Sequence, residues 1–349
     1  MVSPMSQGLF HKAIASSPTN IGPIPHDQLE IARKQARIVG CPDDCSKNII
    51  NCLKTKSFQE LGDSLPKFAE FGNDPVLIWS PVIEPDVGQP IFLPENPIRL
   101  ITNGKFKQVP FITGRTRDEF GWFSLRVLEN ETLTKQLNEN FDKIAPIIFI
   151  YERDTNFSRS VSHAIKNFYF INKTIDYSQQ KAFADIYEDS ITGFAVDRAA
   201  KLIAEHSKEP VYYYRFSYKG RYSHRYLPNT NNTVPYGVVH HDDLIYLFYI
   251  STAFPLFKEH TPKEVEMVKK LTSLYANFAK TGNPTHDLPK NLIGAKWEPF
   301  TSSIQKYLDI GNTIEFKDHL HRKRFEFWEK LFPLSLYTRN QSIDNCNKN

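Results

Sequence analysis

In the stretch Val109-Pro110-Phe111-Ile112-Thr113-Gly114-Arg115-Thr116-Arg117-Asp118-Glu119-Phe120-Gly121, a short apolar run is closed by a glycine and followed by a charged loop. Val109 to Thr113 predicts a strand buried in a parallel sheet, where helices cover both faces. Val211 to Phe216, rich in Val and Tyr, predicts a second such strand, and the polar stretch after it carries Pro228, Asn229 to Asn232 and Pro235. Helix signals lie around both. Asp27 and Glu30 flank a capping-box-like helix start, Leu29, Ala32 and Ala36 give its stripe, Gly40 stops it, and Ser57 with Glu60 forms a capping pair. Thr261-Pro262-Lys263-Glu264 starts a long helix that Gly282-Asn283-Pro284 ends. Within it Met267, Leu271, Leu274 and Phe278 share one face, the pattern of a core stripe, as do Phe325, Trp328 and Phe332 further on. Ile78 to Ile83 contains Pro81 and predicts an irregular or edge strand. Strands alternating with long helices predict an α/β fold with a mostly parallel sheet and chemistry at loops after strand carboxyl ends.

At 349 residues, 40% of them hydrophobic, the chain can bury a large core. Neither an internal repeat nor a low-complexity linker divides it, so residues 1–335 are expected to form one domain portion, and the polar, Asn-rich 336–349 a disordered tail. The net charge of +4 is spread along the chain, which argues against a nucleic-acid partner. The densest basic cluster, His321 to Arg324, runs into Phe325 and predicts the wet face of an amphipathic helix. No apolar run approaches the roughly 18 residues of a membrane span. The first ten residues lack the features of a signal peptide, yet Asn-x-Ser/Thr acceptors occur at Asn130, Asn156, Asn172, Asn231 and Asn340. A natural N-terminus further upstream would reconcile the two. Of the cysteines Cys41, Cys45, Cys52 and Cys346, the spacing of Cys41 and Cys52 permits a disulfide and equally permits unpaired residues.

Two loops can carry chemistry. Glu119, directly after the first strand, is placed to orient a histidine, or simply to be a solvated carboxylate paired with Arg115 or Arg117. Gly237-Val238-Val239-His240-His241-Asp242-Asp243 offers a general base, a structural histidine or a metal site. The metal reading suffers because adjacent side chains on extended backbone point apart. The chain order, acid and then histidine, is the order that follows the nucleophile in α/β hydrolases. Yet the 349 residues contain neither Gly-x-Ser-x-Gly nor a His-Gly-Gly segment for an oxyanion hole.

Several separate segments resemble the type-B carboxylesterase and cholinesterase family, and most of all its insect esterases of the juvenile-hormone and venom types. Ser3-Pro4-Met5-Ser6-Gln7-Gly8-Leu9-Phe10 is similar to the segment after that family's nucleophile elbow, Gly114 to Gly121 to its acid motif, and Gly237 to His240 to its histidine motif. Asn277-Phe278-Ala279-Lys280-Thr281-Gly282-Asn283-Pro284, Trp297-Glu298-Pro299-Phe300 and Tyr307-Leu308 resemble its C-terminal signature. The resemblance implies an α/β-hydrolase fold of which this chain is an N-terminally truncated, C-terminal portion. It implies Glu119 as acid, His240 instead of His241 as base, Ser17 as a hydrogen-bonding support of the acid, and a Cys41–Cys52 disulfide. It further implies secretion behind an upstream signal peptide, glycosylation at the five acceptors, a small-molecule carboxylic ester as substrate, and neither metal nor cofactor. Without the serine and the oxyanion hole this chain alone is expected to be inactive. The alternative is a non-catalytic, esterase-like adhesion or binding protein, against which the retained Glu119 and His240 argue.

Overall fold

The structure is a computed structural model that describes the chain except for residues 20, 23–27, 172, 227–235, 258–260, 295 and 339–349. The chain divides into two compact units, each assembled from separate stretches.

The first unit comprises Met1–Gly22, Pro97–Phe123 and Tyr187–Lys330. It contains a five-stranded sheet whose strands lie side by side in chain order: β1 (Ala13–Ser16), β2 (Phe111–Thr116), β3 (Val211–Phe216), β4 (Lys306–Ile310) and β5 (Ile314–Asp318). The first four run parallel, and β5 turns back antiparallel to β4. Every residue of β2 is buried, and so are all of β3 except the half-buried Arg215. This is the burial of strands covered on both faces. Gly114 pairs with Tyr214 in the β2–β3 register, and a Cβ at Gly114 would lie 2.2 Å from the Tyr214 ring. The missing side chain is therefore what lets that ring lie across β2.

Pro262–Thr281 forms the long helix expected from its cap and stop signals, ending on Gly282 at φ 80°. Met267, Leu271, Leu274 and Phe278 are its buried residues. They join Ile112, Tyr212, Tyr214, Leu308 and Trp297 in one core cluster. Trp297 stands edge-on to Tyr212, with ring centroids 5.7 Å apart. Cutting Leu274 back to Ala in such a core costs about 2–5 kcal/mol.

The basic cluster at His321 to Arg324 departs from its expected solvated role. Arg322 is exposed and pairs with Glu326, but Arg324 turns inward and grips Asp189 through Nε and Nη2 at 2.7 and 2.6 Å. Asp189 opens a fully buried π-helical turn, Asp189–Gly193, so the arginine supplies the counter-charge that a buried carboxylate requires. Trp328, on the helix Arg322–Leu331 that carries Arg324, is fully buried.

The second unit comprises Pro23–Asn96, Ser124–Ile186 and Leu331–Asn349 and is helical. Ser57 and Glu60 form a complete capping box at the head of Phe58–Asp63, and Thr155 with Ser158 caps Asn156–Phe170. Cys41 and Cys52 are joined in a disulfide, with Cα atoms 5.7 Å apart, and Cys41 packs with Ala36 and Ile49 between the helices Gln28–Ile38 and Ser46–Leu53. Cys45 lies outside the bond and Cys346 outside the described residues. Residues 76–83 form no ladder, so of the irregular or edge strand expected at Ile78 to Ile83 the irregular course is the one taken. Pro75 and Pro81 each lack the amide proton that a strand needs. Trp79 is half exposed there, edge-on to Phe68 at 5.9 Å. Of the expected tail, residues 339–349 lie outside the described residues, and Leu334–Thr338 form a 3₁₀ turn. No helix among the described residues is long and apolar enough to cross a membrane.

Candidate active site

β1 and β2 run in parallel with Ser16 opposite Gly114, so both deliver their next residues to the same end of the sheet. Ser17 leaves β1 with a positive φ of 51° while its amide still donates to Gly114 O at 2.7 Å. Its Oγ then donates to Glu119 Oε1, also at 2.7 Å. Oε1 accepts a second bond from the Thr116 amide at 2.7 Å, and Oε2 faces His240 Nδ1 at 2.7 Å. Ser17, Glu119 and His240 are thus brought together, with Ser17 and Glu119 buried. Burial alone would raise its carboxyl, but the hydrogen bond and charge of His240, the Ser17 hydroxyl and the buried Arg115 guanidinium outweigh that and hold it below the usual range. The solvated pairing with Arg115 or Arg117 is not what forms: Arg117 pairs with Asp118, and Arg115 faces Glu188 at 3.8 Å.

The His240 ring packs against Phe120, 4.5 Å between centroids, and against His241 at 3.8 Å. With Nδ1 committed to the carboxylate, the tautomer assigned from this partner carries its proton there and leaves Nε2 as the basic nitrogen. Among the described residues Nε2 has no hydrogen-bond partner, and the side chain is 21% exposed. A carboxylate–imidazole pair with one nitrogen presented outward can accept a proton from a hydroxyl and return it to a leaving group.

The two aspartates after the histidines serve other ends. Asp242 accepts from the His224 amide at 2.8 Å, Ser223 Oγ at 2.8 Å and the Val239 amide at 2.9 Å. Asp243 accepts from Tyr214 OH at 2.9 Å. Burial pushes Asp242 up to about 7 and Asp243 up to about 6. His241 takes a positive φ of 75° that turns its ring onto His240, and burial lowers its basicity. Each of the four consecutive side chains has its own direction and partner, and among the described residues no group of three or more His, Cys, Asp or Glu is disposed to hold a metal. The anchoring work of Asp242 and Asp243 has no local signal in the sequence, since their partners come from loop closure and from β3. A cavity of about 180 Å³ lies beside Asp242, walled by Tyr218, Tyr222, Tyr226, Gly237 and Tyr246, and His240 is not in its lining.

Of the acceptor asparagines, Asn130 and Asn156 are exposed at helix starts. Asn130 caps Glu131–Glu139 through the Leu133 amide, while Asn172, Asn231 and Asn340 lie outside the described residues.

The model of the carboxylesterase family matches residues 1–328, nearly the whole chain. The chain belongs to the carboxylesterase family. Its sheet and surrounding helices are accordingly those of an α/β hydrolase. Among curated relatives, this carboxylesterase chain is 29% identical to venom carboxylesterase-6 of Apis mellifera, over 95% of its own length and 59% of that protein's. It is 27% identical to the juvenile hormone esterase of Tribolium castaneum, covering 81% of the chain and 51% of the relative. Liver carboxylesterase of Sus scrofa is 27% identical, over 95% and 56%. The chain thus spans a little over half the length of the curated relatives it matches.

Proposed function

We propose that this chain supplies the acid and the general base of a secreted carboxylic-ester hydrolase working by Ser-Glu-His acyl transfer. The 2.7 Å contact between His240 Nδ1 and the buried Glu119 carboxylate, at the carboxyl ends of parallel strands, carries this reading. His240 Nε2 takes the serine proton as the hydroxyl attacks the ester carbonyl and gives it to the departing alcohol, after which water activated by the same nitrogen releases the acid. Glu119 holds the imidazole in the required tautomer and stabilises its protonated form. Ser17 and the Thr116 amide keep that carboxylate from rotating away. The scheme calls for no metal and no organic cofactor, and its substrate is a small carboxylic ester.

The nucleophile and oxyanion hole belong, on this reading, to residues outside these 349, because no Gly-x-Ser-x-Gly occurs among them. By itself the chain is then expected to turn over no ester. Secretion and glycosylation, first of the exposed Asn130 and Asn156, belong to the same reading and accord with the Cys41–Cys52 disulfide.

Joining the chain to the segment encoded upstream in the transcript and assaying a p-nitrophenyl ester tests the assignment. Substituting His240→Ala in that longer protein is expected to lower kcat by about 10⁴-fold or more. Retained turnover in that variant, or stoichiometric labelling of the 349-residue chain alone by a fluorophosphonate, would overturn it.

A further inference from the structure

We infer that Asp118 is a positioning residue that locks the histidine loop to the acid loop, an inference that rests on reading Glu119 and His240 as the working pair. The Asp118 amide donates to Val238 O at 2.9 Å, and Asp118 Oδ2 accepts from the Val238 amide at 2.7 Å. One residue therefore takes both backbone hydrogen-bonding groups of Val238. Asp118 immediately precedes Glu119, and Val238 lies two residues before His240, so this bridge sets the register in which the imidazole meets the carboxylate. The His240 amide repeats the link by donating to Glu119 O at 3.2 Å.

The two loops stand 121 positions apart in the chain, so no local turn can hold them together. Gly237 makes the bridge possible: a Cβ there would lie 2.1 Å from Asp118 Oδ2, inside any allowed contact. Its φ is not in the left-handed region, so the requirement is for space. Arg117 Nε, at 2.9 Å from the same Oδ2, fixes the carboxylate's orientation. On the other side Asp242 Oδ2 accepts from the Val239 amide at 2.9 Å. Three successive amides, Val238, Val239 and His240, are thus all engaged just before and at the histidine. A 2.7 Å imidazole–carboxylate contact survives only if the loops do not slide, and small displacements of that order are costly to catalysis. Asp118 touches neither the imidazole nor the Glu119 carboxylate, and acts through the backbone between them.

The test uses the purified chain, with deuterium exchange over residues 236–243 read by mass spectrometry and the proton NMR signal of His240 Nδ1–H assigned by its loss in H240Q. Asp118→Ala is expected to speed exchange at Val238 about tenfold, the equivalent of one lost hydrogen bond, and to broaden the Nδ1 signal. Asp118→Asn keeps an acceptor for Val238 and is expected to restore both, whereas Gly237→Ala is expected to reproduce the alanine variant. Unchanged exchange around Cys41 and Cys52 identifies these as local effects. Wild-type exchange and an intact Nδ1 signal in Asp118→Ala would overturn the proposal. An Nδ1 signal that depends on Asp118, in a chain whose longer form hydrolyses no ester, supports the lock while removing the catalytic reading.

Discussion

Glu119 and Asp242 are both carboxylates buried in the same unit, and each accepts three hydrogen bonds, yet they are driven in opposite directions. Burial is the largest influence on both. Glu119 is nevertheless held below the usual range, while Asp242 is pushed up to about 7. The difference lies in the charge of the neighbours. Glu119 faces the His240 imidazole and feels the charge of the Arg115 guanidinium, whereas Asp242 has neutral donors and the adjacent Asp243. At Asp242 the three neutral donors do not offset burial, whereas at Glu119 the hydrogen bond and charge of His240, with the Ser17 hydroxyl and the Arg115 charge, do. One of the two is therefore suited to stabilise an imidazolium and the other to tie a loop.

The largest effect expected from breaking this contrast is at Glu119. In a chain that includes the nucleophile, Glu119→Gln removes the charge, keeps the shape, and is expected to lower kcat by about 10⁴-fold, read by steady-state kinetics. Next come the pH slopes of stability, read by denaturant titration at a series of pH values. Asp242 has its folded value raised from 3.8 to about 7, so its contribution is full below 3.8 and is lost as pH rises through about 7. His224 is displaced the other way: burial, together with His241 and His240, lowers it from 6.5 to about 4, so stability is present above 6.5 and lost as pH falls towards about 4. The two slopes oppose each other between about 4 and 6.5. Relative to the wild type, His224→Gln is expected to make stability fall more steeply with rising pH and Asp242→Asn less steeply, and identical profiles for both variants would refute the assignment. The smallest change is Ser17→Ala, which removes one neutral donor from Glu119 and should cost about 1 kcal/mol in unfolding free energy.

The parts of the site that could be read from the sequence were those with a local pattern. The strand before Glu119 shows as an apolar run at Val109 to Thr113, displaced in the structure to Phe111–Thr116, and Val211–Phe216 forms over the expected residues. Ranking Glu119 and His240 above their neighbours needed the family motifs, because nothing local separates a buried acid from a solvated one. β1 was not legible, since Ala13–Ser16 is four residues long and only partly buried. β5 carries a usable signal in the alternation Ile314-Glu315-Phe316-Lys317, which is that of an edge strand. Arg324 sits among basic neighbours that are solvated, and only the buried π-turn carrying Asp189 explains why it turns inward. The three donors to Asp242 come from a folded loop and could not be foreseen from spacing.

The placement of the indoles has a spectroscopic consequence. Of the four tryptophans, Trp122, Trp297 and Trp328 belong to the sheet-containing unit, and Trp297 and Trp328 are 1% and 0% exposed. The helical unit holds only Trp79, already 50% exposed. A red shift of intrinsic emission during unfolding therefore follows the sheet and the Glu119–His240 pair it carries. The disulfide-bonded helices can melt with almost no optical trace at those wavelengths, and far-ultraviolet circular dichroism is the signal that follows them.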